Sequence, residues 1–396
     1  MTFDRSQRRQ LTLKSGKERV LSNRHPWIFA GAIARESGPP DAAIADLLDD
    51  RGRLLASGLY SAHSQIRLRA LVFGEEELTA GVIRSRITRA IRRREAVLRD
   101  GTNAARLVYA EGDDLSGLII DRYDDVVVVE IANSGLEQLK QIVVEEIGDA
   151  MRARVIYFKN DLPARKIERL SLEPEIVGEG DPRAQILENG LRFEVDPREG
   201  QKTGFFLDQR DNRALARDLA GGRRVLNLFS YTGAFGVYAA AGGAVEVENV
   251  DVSASAIEAA RRNHDLNGSG DRARFTVADA FGFVRERGLA GQQAGMLVCD
   301  PPAFAKSRGE VERAARGYKD VNLFAMKLVE AGGWMMTFSC SGHMPLDLFQ
   351  KVIFAAALDA GRRISFVRRL SAGLDHPVSL YCPEGEYLKG FLLQVH

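Results

Sequence analysis

Cysteine is scarce in this chain, which has only Cys299, Cys340 and Cys382. An odd number without paired spacing indicates neither a disulfide framework nor a zinc site, and a reducing cytoplasm fits best. Proline is also sparse, at 12 residues against 38 glycines, while 45% of the chain is hydrophobic and 28% charged. That balance excludes a collagen, a coiled coil and a largely disordered chain. No internal repeat or low-complexity tract is present. The opening stretch, residues 1–10, has no apolar segment after its charges, so a secretory signal is not expected. Residues 225–245 form an uncharged run of bilayer-spanning length, but it contains Asn227, Ser230, Thr232 and four glycines. It reads as strand, loop and helix inside a buried α/β unit.

Net charge is nearly absent as well, at +1. The sum conceals an asymmetry. Residues 1–100 hold 19 basic and 12 acidic side chains (+7), leaving 36 and 42 (−6) for residues 101–396. A basic front hints at a polyanionic partner such as nucleic acid; a solvated, arginine-rich helix face is the alternative. A length of 396 residues implies two or three domains at roughly 150 residues each.

Residues 54–60 and 65–73 read as strands bounded by Gly and Ser signals, so the first 75 residues form a small β-rich module. Residues 79–98 then change character. Ile83, Ile87, Ala90, Ile91 and Leu98 recur at helical spacing while Arg84, Arg86, Arg89, Arg92, Arg93, Arg94 and Arg99 crowd the other faces, predicting one basic amphipathic helix. Strands are expected at 118–121, 126–131 and 155–159, with a helix over 136–151. Asn189-Gly190 between apolar alternations is a strong hairpin signal. After Arg210, strands at 225–229, 246–251, 275–278, 296–299 and 334–339 alternate with helical segments, and 364–369 and 390–395 supply two closing strands. This rhythm predicts a doubly wound α/β sheet. The expected layout is 1–75, a central α+β domain over 76–190, and a last domain over 191–396.

In such a sheet the ligand lies beyond the C-terminal strand ends at the switch point. The loop there, Phe229-Ser230-Tyr231-Thr232-Gly233, is not Gly-x-Gly-x-x-Gly, so it lacks the backbone cradle of a dinucleotide pyrophosphate. One close-approach glycine suits a ligand without phosphates. The second strand ends in Asp251, followed by Val252, and a carboxylate there can accept from both hydroxyls of a ribose. The third leads to Asp279-Ala280, where a carboxylate can accept from an adenine amine. The fourth ends in Asp300-Pro301-Pro302-Ala303-Phe304. An Asp at a strand end is also a common helix cap or turn former.

This constellation resembles the S-adenosylmethionine fold of class I methyltransferases. Further strings carry the resemblance: Arg24-His25-Pro26-Trp27, Lys202-Thr203-Gly204-Phe205-Phe206-Leu207-Asp208-Gln209-Arg210, Arg316-Gly317-Tyr318-Lys319-Asp320, Phe338-Ser339-Cys340-Ser341-Gly342, Asp375-His376-Pro377-Val378 and Tyr387-Leu388-Lys389-Gly390. In this order, and over essentially the whole length, they make the chain similar to the bacterial ribosomal RNA large-subunit methyltransferase I family, RlmI. The resemblance implies an N-terminal PUA-type RNA-binding domain, a small central domain and a Rossmann-like methyltransferase domain with an antiparallel closing strand. It implies 5-methylation of a cytidine in 23S ribosomal RNA, with S-adenosylmethionine as cofactor; from the cysteines and the 225–245 run, a cytoplasmic protein with no metal and no membrane partner is expected. A homodimer is left open. Residues 202–210 would be a lid, with Asp208 or Gln209 near the methionine end of the cofactor; a plain domain linker is the alternative.

Carbon 5 of cytosine is a poor nucleophile. A thiolate adding to carbon 6 activates it, and a base must later remove the carbon 5 proton. Cys340, at a strand end on the same edge as Asp300, is placed for this role, although a cysteine can also simply pack. Cys299 reads as a buried hydrophobe and Cys382 receives no role. Asp300 is a candidate contact to the target base or a turn residue, Phe304 a stacking ring or a core aromatic, and His376 a candidate proton shuttle. Methylation of an exocyclic base amine competes, but Ala303 breaks the usual Pro-Pro-aromatic spacing. A ribosome-assembly protein with a vestigial methyltransferase domain is the non-enzymatic alternative.

Overall fold

A computed structural model describes residues 3–99 and 101–396. Met1 and Thr2 of the opening stretch, and Asp100, lie outside the described residues. Two compact units are present. The first extends to Ile186 and recruits Val195–Phe205 and Leu374–Gly385; the second comprises Leu187–Glu194, Phe206–Gly373 and Glu386–His396.

In the first unit, strands β1 (Arg9–Leu13), β2 (Trp27–Phe29), β3 (Ile33–Ser37), β4 (Ile44–Leu48), β5 (Leu54–Tyr60) and β6 (Ile66–Phe73) form one sheet in the order β2-β6-β5-β4-β1-β3. The first four are three to five residues long, too short for their alternation to stand out in sequence. A short helix, α1 (Arg19–Ser22), interrupts them, and α2 (Ala80–Arg94) follows. Thr79 caps α2 by accepting from the Val82 N–H. The helix ends four residues short of the predicted 98, where Val97 and Leu98 turn their N–H groups back to the Arg94 carbonyl.

A second sheet is built from β7 (Ala104–Tyr109), β8 (Leu118–Tyr123), β9 (Val126–Ile131), β10 (Val155–Phe158) and β11 (Glu175–Gly178), in the order β11-β10-β9-β8-β7. The helix expected over 136–151 is two helices, α3 (Ser134–Gln138) and α4 (Lys140–Met151). The Asn133 side chain caps the backbone early by accepting from Leu136 N–H, and Leu139, at φ −103° and ψ 9°, interrupts the helix. Helix α5 (Pro163–Ile167) precedes β11.

The hairpin β12 (Ala184–Glu188) and β13 (Leu191–Val195) turns through Asn189 and Gly190 at φ +50° and +81°, the two positive values its turn requires. Helix α6 (Arg210–Leu219) then opens the second unit's repeat: β14 (Arg224–Leu228), α7 (Ala234–Ala241), β15 (Glu246–Asp251), α8 (Ala254–Leu266), β16 (Ala273–Val277), α9 (Ala280–Leu289), β17 (Ala294–Cys299), α10 (Val311–Lys327), β18 (Val329–Ser339), α11 (Leu346–Ala360), β19 (Ile364–Leu370) and β20 (Lys389–Val395). The sheet order is β16-β15-β14-β17-β18-β20-β19. Strands β14 to β18 are parallel, and β20 runs antiparallel between β18 and β19. Strand order therefore reverses at β14 and β17, which sets the crevice at their C-terminal ends. Apolar residues on both sheet faces form the core: Leu226, Leu297 and Met335 pack with α10 and α11, while Val225, Met296 and Met336 pack with α6 and α7. Among the described residues no helix is long and apolar enough to cross a membrane.

Candidate active site

The loop after β14 is held in a strained shape. Phe229, Tyr231 and Gly233 take positive φ of +55°, +48° and +75°; for a bulky residue such as Phe229 this is a costly conformation that surrounding contacts must impose. Those contacts are present. Ser230 N–H donates to Val250 O, Gly233 N–H donates to Ser230 O, and Asn263 Nδ2 donates to Thr232 O. A Cβ at Gly233 would lie 2.7 Å from Ala260 Cβ, so α7 and α8 approach too closely for any other residue. Beneath the loop is a buried polar layer absent from the sequence reading. Asn227 Nδ2 donates to Asn249 Oδ1 at 2.9 Å, Asn249 Nδ2 donates to His264 Nε2 at 3.1 Å, and His264 Nδ1 meets Ser269 Oγ at 2.8 Å. Burial holds the His264 pKa down at about 4, so the ring is neutral and bridges two acceptor-donor partners.

Asp251 stands at the end of β15. Its Oδ2 accepts from Tyr231 N–H and its Oδ1 from Ser253 N–H, both at 2.9 Å. Each carboxylate oxygen keeps a further lone pair for a ligand hydroxyl. The side chain thus fastens the strained loop. Val252 beside it is 73% exposed. Asp279 realises its capping alternative: it is the N-cap of α9, and Oδ2 accepts from Gly282 N–H at 2.9 Å. Ala280 is the buried first residue of that helix.

Asp300, after β17, is joined to the stretch before α6. Gln209 Nε2 donates to Asp300 Oδ2 at 2.9 Å, and Gln209 Oε1 accepts from Asn212 Nδ2 at 2.6 Å. Asp208 is 2% exposed and accepts a short hydrogen bond from the Tyr387 hydroxyl. Tyr387 carries no role by sequence alone; the signal for it is a polar pair, Tyr387 and Lys389, at the head of the apolar strand β20. The stretch 202–210 divides at residue 205. Thr203 and Phe205 belong to the first unit, where both bond Tyr123 Oη, while Phe206 onward belongs to the second.

Cys340 lies against the loop that carries Asp300. The Cys340 thiol donates to Pro301 O at 3.6 Å. Ser341 next to it is fully buried, and its Oγ accepts from Ala305 N–H at 3.2 Å and meets Tyr318 Oη at 2.9 Å. Lys389, missed by sequence reasoning, is 5% exposed and donates from Nζ to Ser341 O at 2.9 Å. Phe304 sits in a row of rings, 5.8 Å from Phe281 and 4.6 Å from Tyr318, and Phe281 in turn meets Phe229. Cys299 is wholly buried, and burial pushes its thiol well above the ordinary value.

Two other residues belong to the first unit. His376 is bonded through Nδ1 to Asp375 Oδ1 at 2.9 Å and packs on Tyr109. Cys382 is buried near His25 and Glu384. In that group His25 Nδ1 accepts from Trp27 N–H, so the neutral ring carries its proton on Nε2, the atom facing Glu384 at 3.3 Å. That tautomer donates a hydrogen bond there and offers no lone pair to a cation.

The loop fits the cofactor that the sequence implies. Ser230 Oγ and Thr232 Oγ1 are buried without a hydrogen-bond partner, an arrangement costly unless a polar ligand completes it. Comparison with known proteins agrees. The family described as S-adenosylmethionine-dependent methyltransferase matches residues 135–375, and the PUA-like domain family matches residues 11–73. The chain is 42% identical to the ribosomal RNA large subunit methyltransferase I of Shewanella amazonensis, covering 98% of this chain and 99% of that one. It is 44% identical to the protein of the same name from Tolumonas auensis, covering 96% and 98%. A solved Streptococcus mutans structure named as a SAM-dependent methyltransferase shares the fold, with a TM-score of 0.81 at 22% identity over 97% of this chain and 99% of that one. Matched from end to end by relatives of one name, the chain belongs to the ribosomal RNA large subunit methyltransferase I family of S-adenosylmethionine-dependent methyltransferases.

Proposed function

We propose that this enzyme forms 5-methylcytidine in large-subunit ribosomal RNA and that Cys340 is its covalent nucleophile. The observation that carries the reading is the placement of Cys340, directly after β18 and against the Pro301 carbonyl of the Asp300 loop. The Cys340 sulfur adds to carbon 6 of cytosine, and the electron pair of the 5,6 double bond moves to carbon 5. S-adenosylmethionine supplies the electrophilic methyl group that carbon 5 takes. Loss of the carbon 5 proton to a base restores the double bond and expels Cys340 as thiolate.

Asp300, oriented by the Gln209 amide, faces the target base and accepts from its amine. For the cofactor, Asp251 accepts from the ribose, Asp279 from the adenine amine, and the Ser230 and Thr232 hydroxyls meet the methionine portion, with Phe229, Tyr231, Gly233, Val252 and Ala280 lining the pocket and Asp208 and Gln209 at the methionine end. Packing of Phe304 between two rings supports this chemistry over exocyclic amine transfer, which stacks an aromatic on the base. Within the two units, residues 1–75 bind RNA, 76–190 connect, and 191–396 carry the transfer. The enzyme works in the cytoplasm and needs neither metal nor membrane; a homodimer is compatible with the reading.

Cys340→Ala abolishes methyl transfer to ribosomal RNA, while S-adenosylmethionine affinity in a calorimetric titration stays near wild type. Mass spectrometry of the RNA product checks both atom and residue. A Cys340→Ala variant that still yields 5-methylcytidine overturns the covalent step.

A further inference from the structure

The register of β18 and β20 places Ser339 opposite Lys389, so both side chains point to one face of the sheet. Cys340 is the next residue. Lys389 is 5% exposed, and its one hydrogen bond goes to the Ser341 carbonyl at 2.9 Å, leaving two ammonium donors unused. No carboxylate lies within ion-pair distance of it among the described residues, in a chain where the other buried cations of this unit, Arg210 and Arg213, both pair with Glu188. A buried ammonium without a counter-ion is expensive, and such a group persists where an anion forms beside it.

We propose that Lys389 is a positioning residue for methyl transfer: its ammonium holds the sulfur of Cys340 as the thiolate that attacks the base. The inference rests on the covalent reading above and deepens it. Burial lowers the Lys389 pKa, and the charges of Glu386 and of an ionised Cys340 oppose that fall. From α10, Tyr318 faces the same pair; burial raises its pKa, and it remains a neutral hydroxyl. From the loop after β17, the Pro301 carbonyl faces the Cys340 sulfur and accepts from it while it is a thiol. A lysine beside a cysteine favours the thiolate by simple charge attraction.

The test is the pH dependence of Cys340 alkylation by iodoacetamide, followed by mass spectrometry of the peptide that contains it. Cys299 and Cys382 are both fully buried and do not compete. The wild-type chain should be alkylated with a midpoint about a unit below the roughly 8.5 of a free cysteine. Lys389→Gln keeps an N–H for the Ser341 carbonyl but removes the charge, and should raise the midpoint by about one pH unit. A wild-type midpoint at or above the free-cysteine value, or a Lys389→Gln midpoint equal to wild type, overturns the proposal; a merely structural lysine gives the second result. Trapping with RNA containing 5-fluorocytidine separates the two layers. A wild-type chain that forms no adduct removes the covalent reading and this inference with it, whereas an adduct with an unmoved midpoint removes the inference alone.

Discussion

Cys299 and Cys340 lie at the C-terminal ends of neighbouring parallel strands, yet their surroundings separate them. Cys299 is sealed in the core with its thiol pushed up, while Cys340 is partly exposed beside a buried lysine. Strand position was readable from apolar runs that alternate with helical segments; access was decided by what packs over each sulfur. The carboxylates divide similarly. Asp251→Ala should weaken S-adenosylmethionine binding by about 1–3 kcal/mol through lost hydrogen bonds, and hydrogen exchange at Tyr231 and Ser253 should rise because their N–H groups lose their acceptor. Asp279 carries a cap as well, so Asp279→Asn, which preserves capping, should reduce affinity without changing the melting temperature.

At the scale of the element, the loop after β14 combines positive φ with a close helix contact. Gly233→Ala meets both obstacles and should cost roughly 2–4 kcal/mol, measured by urea unfolding together with loss of cofactor binding. The basic helix α2 shows a different use of charge. Arg84 pairs with Glu145 and Glu146, Arg86 reaches the Asp114 and Leu71 carbonyls, Arg89 pairs with Asp114, and Arg93 and Arg94 pair with Asp113. Both Arg94 and Asp113 are 1% exposed. Arg94 therefore holds the first unit together from inside, while Arg84, Arg89 and Arg93 pair at the surface, where ion pairs contribute little. Arg94→Met strands a buried carboxylate and should lower stability by about 3–5 kcal/mol, read as a lower melting temperature of the first unit.

For the whole molecule, the first unit depends on distant pieces of chain. Asp121 is fully buried and bonds Thr203, and Asp375, also fully buried, accepts from Arg106 N–H. A fragment ending at residue 186 loses both partners and should melt without the cooperative transition of the full chain in circular dichroism. Its pH response has a definite sign. Burial raises the Glu130 carboxyl from its ordinary 4.5 to about 7, with Asp121 adding to the rise and Arg106 and Lys159 opposing it. Below 4.5 both states hold the proton; as pH rises toward 7 the unfolded chain releases it first, so stability falls by about 3 kcal/mol. Glu130→Gln should raise the melting temperature at pH 8 and leave it unchanged at pH 4.

The sequence by itself determined the alternation of strands and helices after Arg210, the one-glycine loop, the Asn189-Gly190 turn and the family strings that point to the cofactor and the RNA, because these depend on local periodicity and on residues close in the chain. Only the tertiary structure decided which polar groups meet across the sheet. Lys389 reaches the Cys340 loop through strand register, Gln209 reaches Asp300 across 91 positions, and Asn249 with His264 supports the loop from below. The scarce cysteines acquired distinct fates for the same reason: burial and neighbouring charge are properties of packing, which no spacing along the chain encodes.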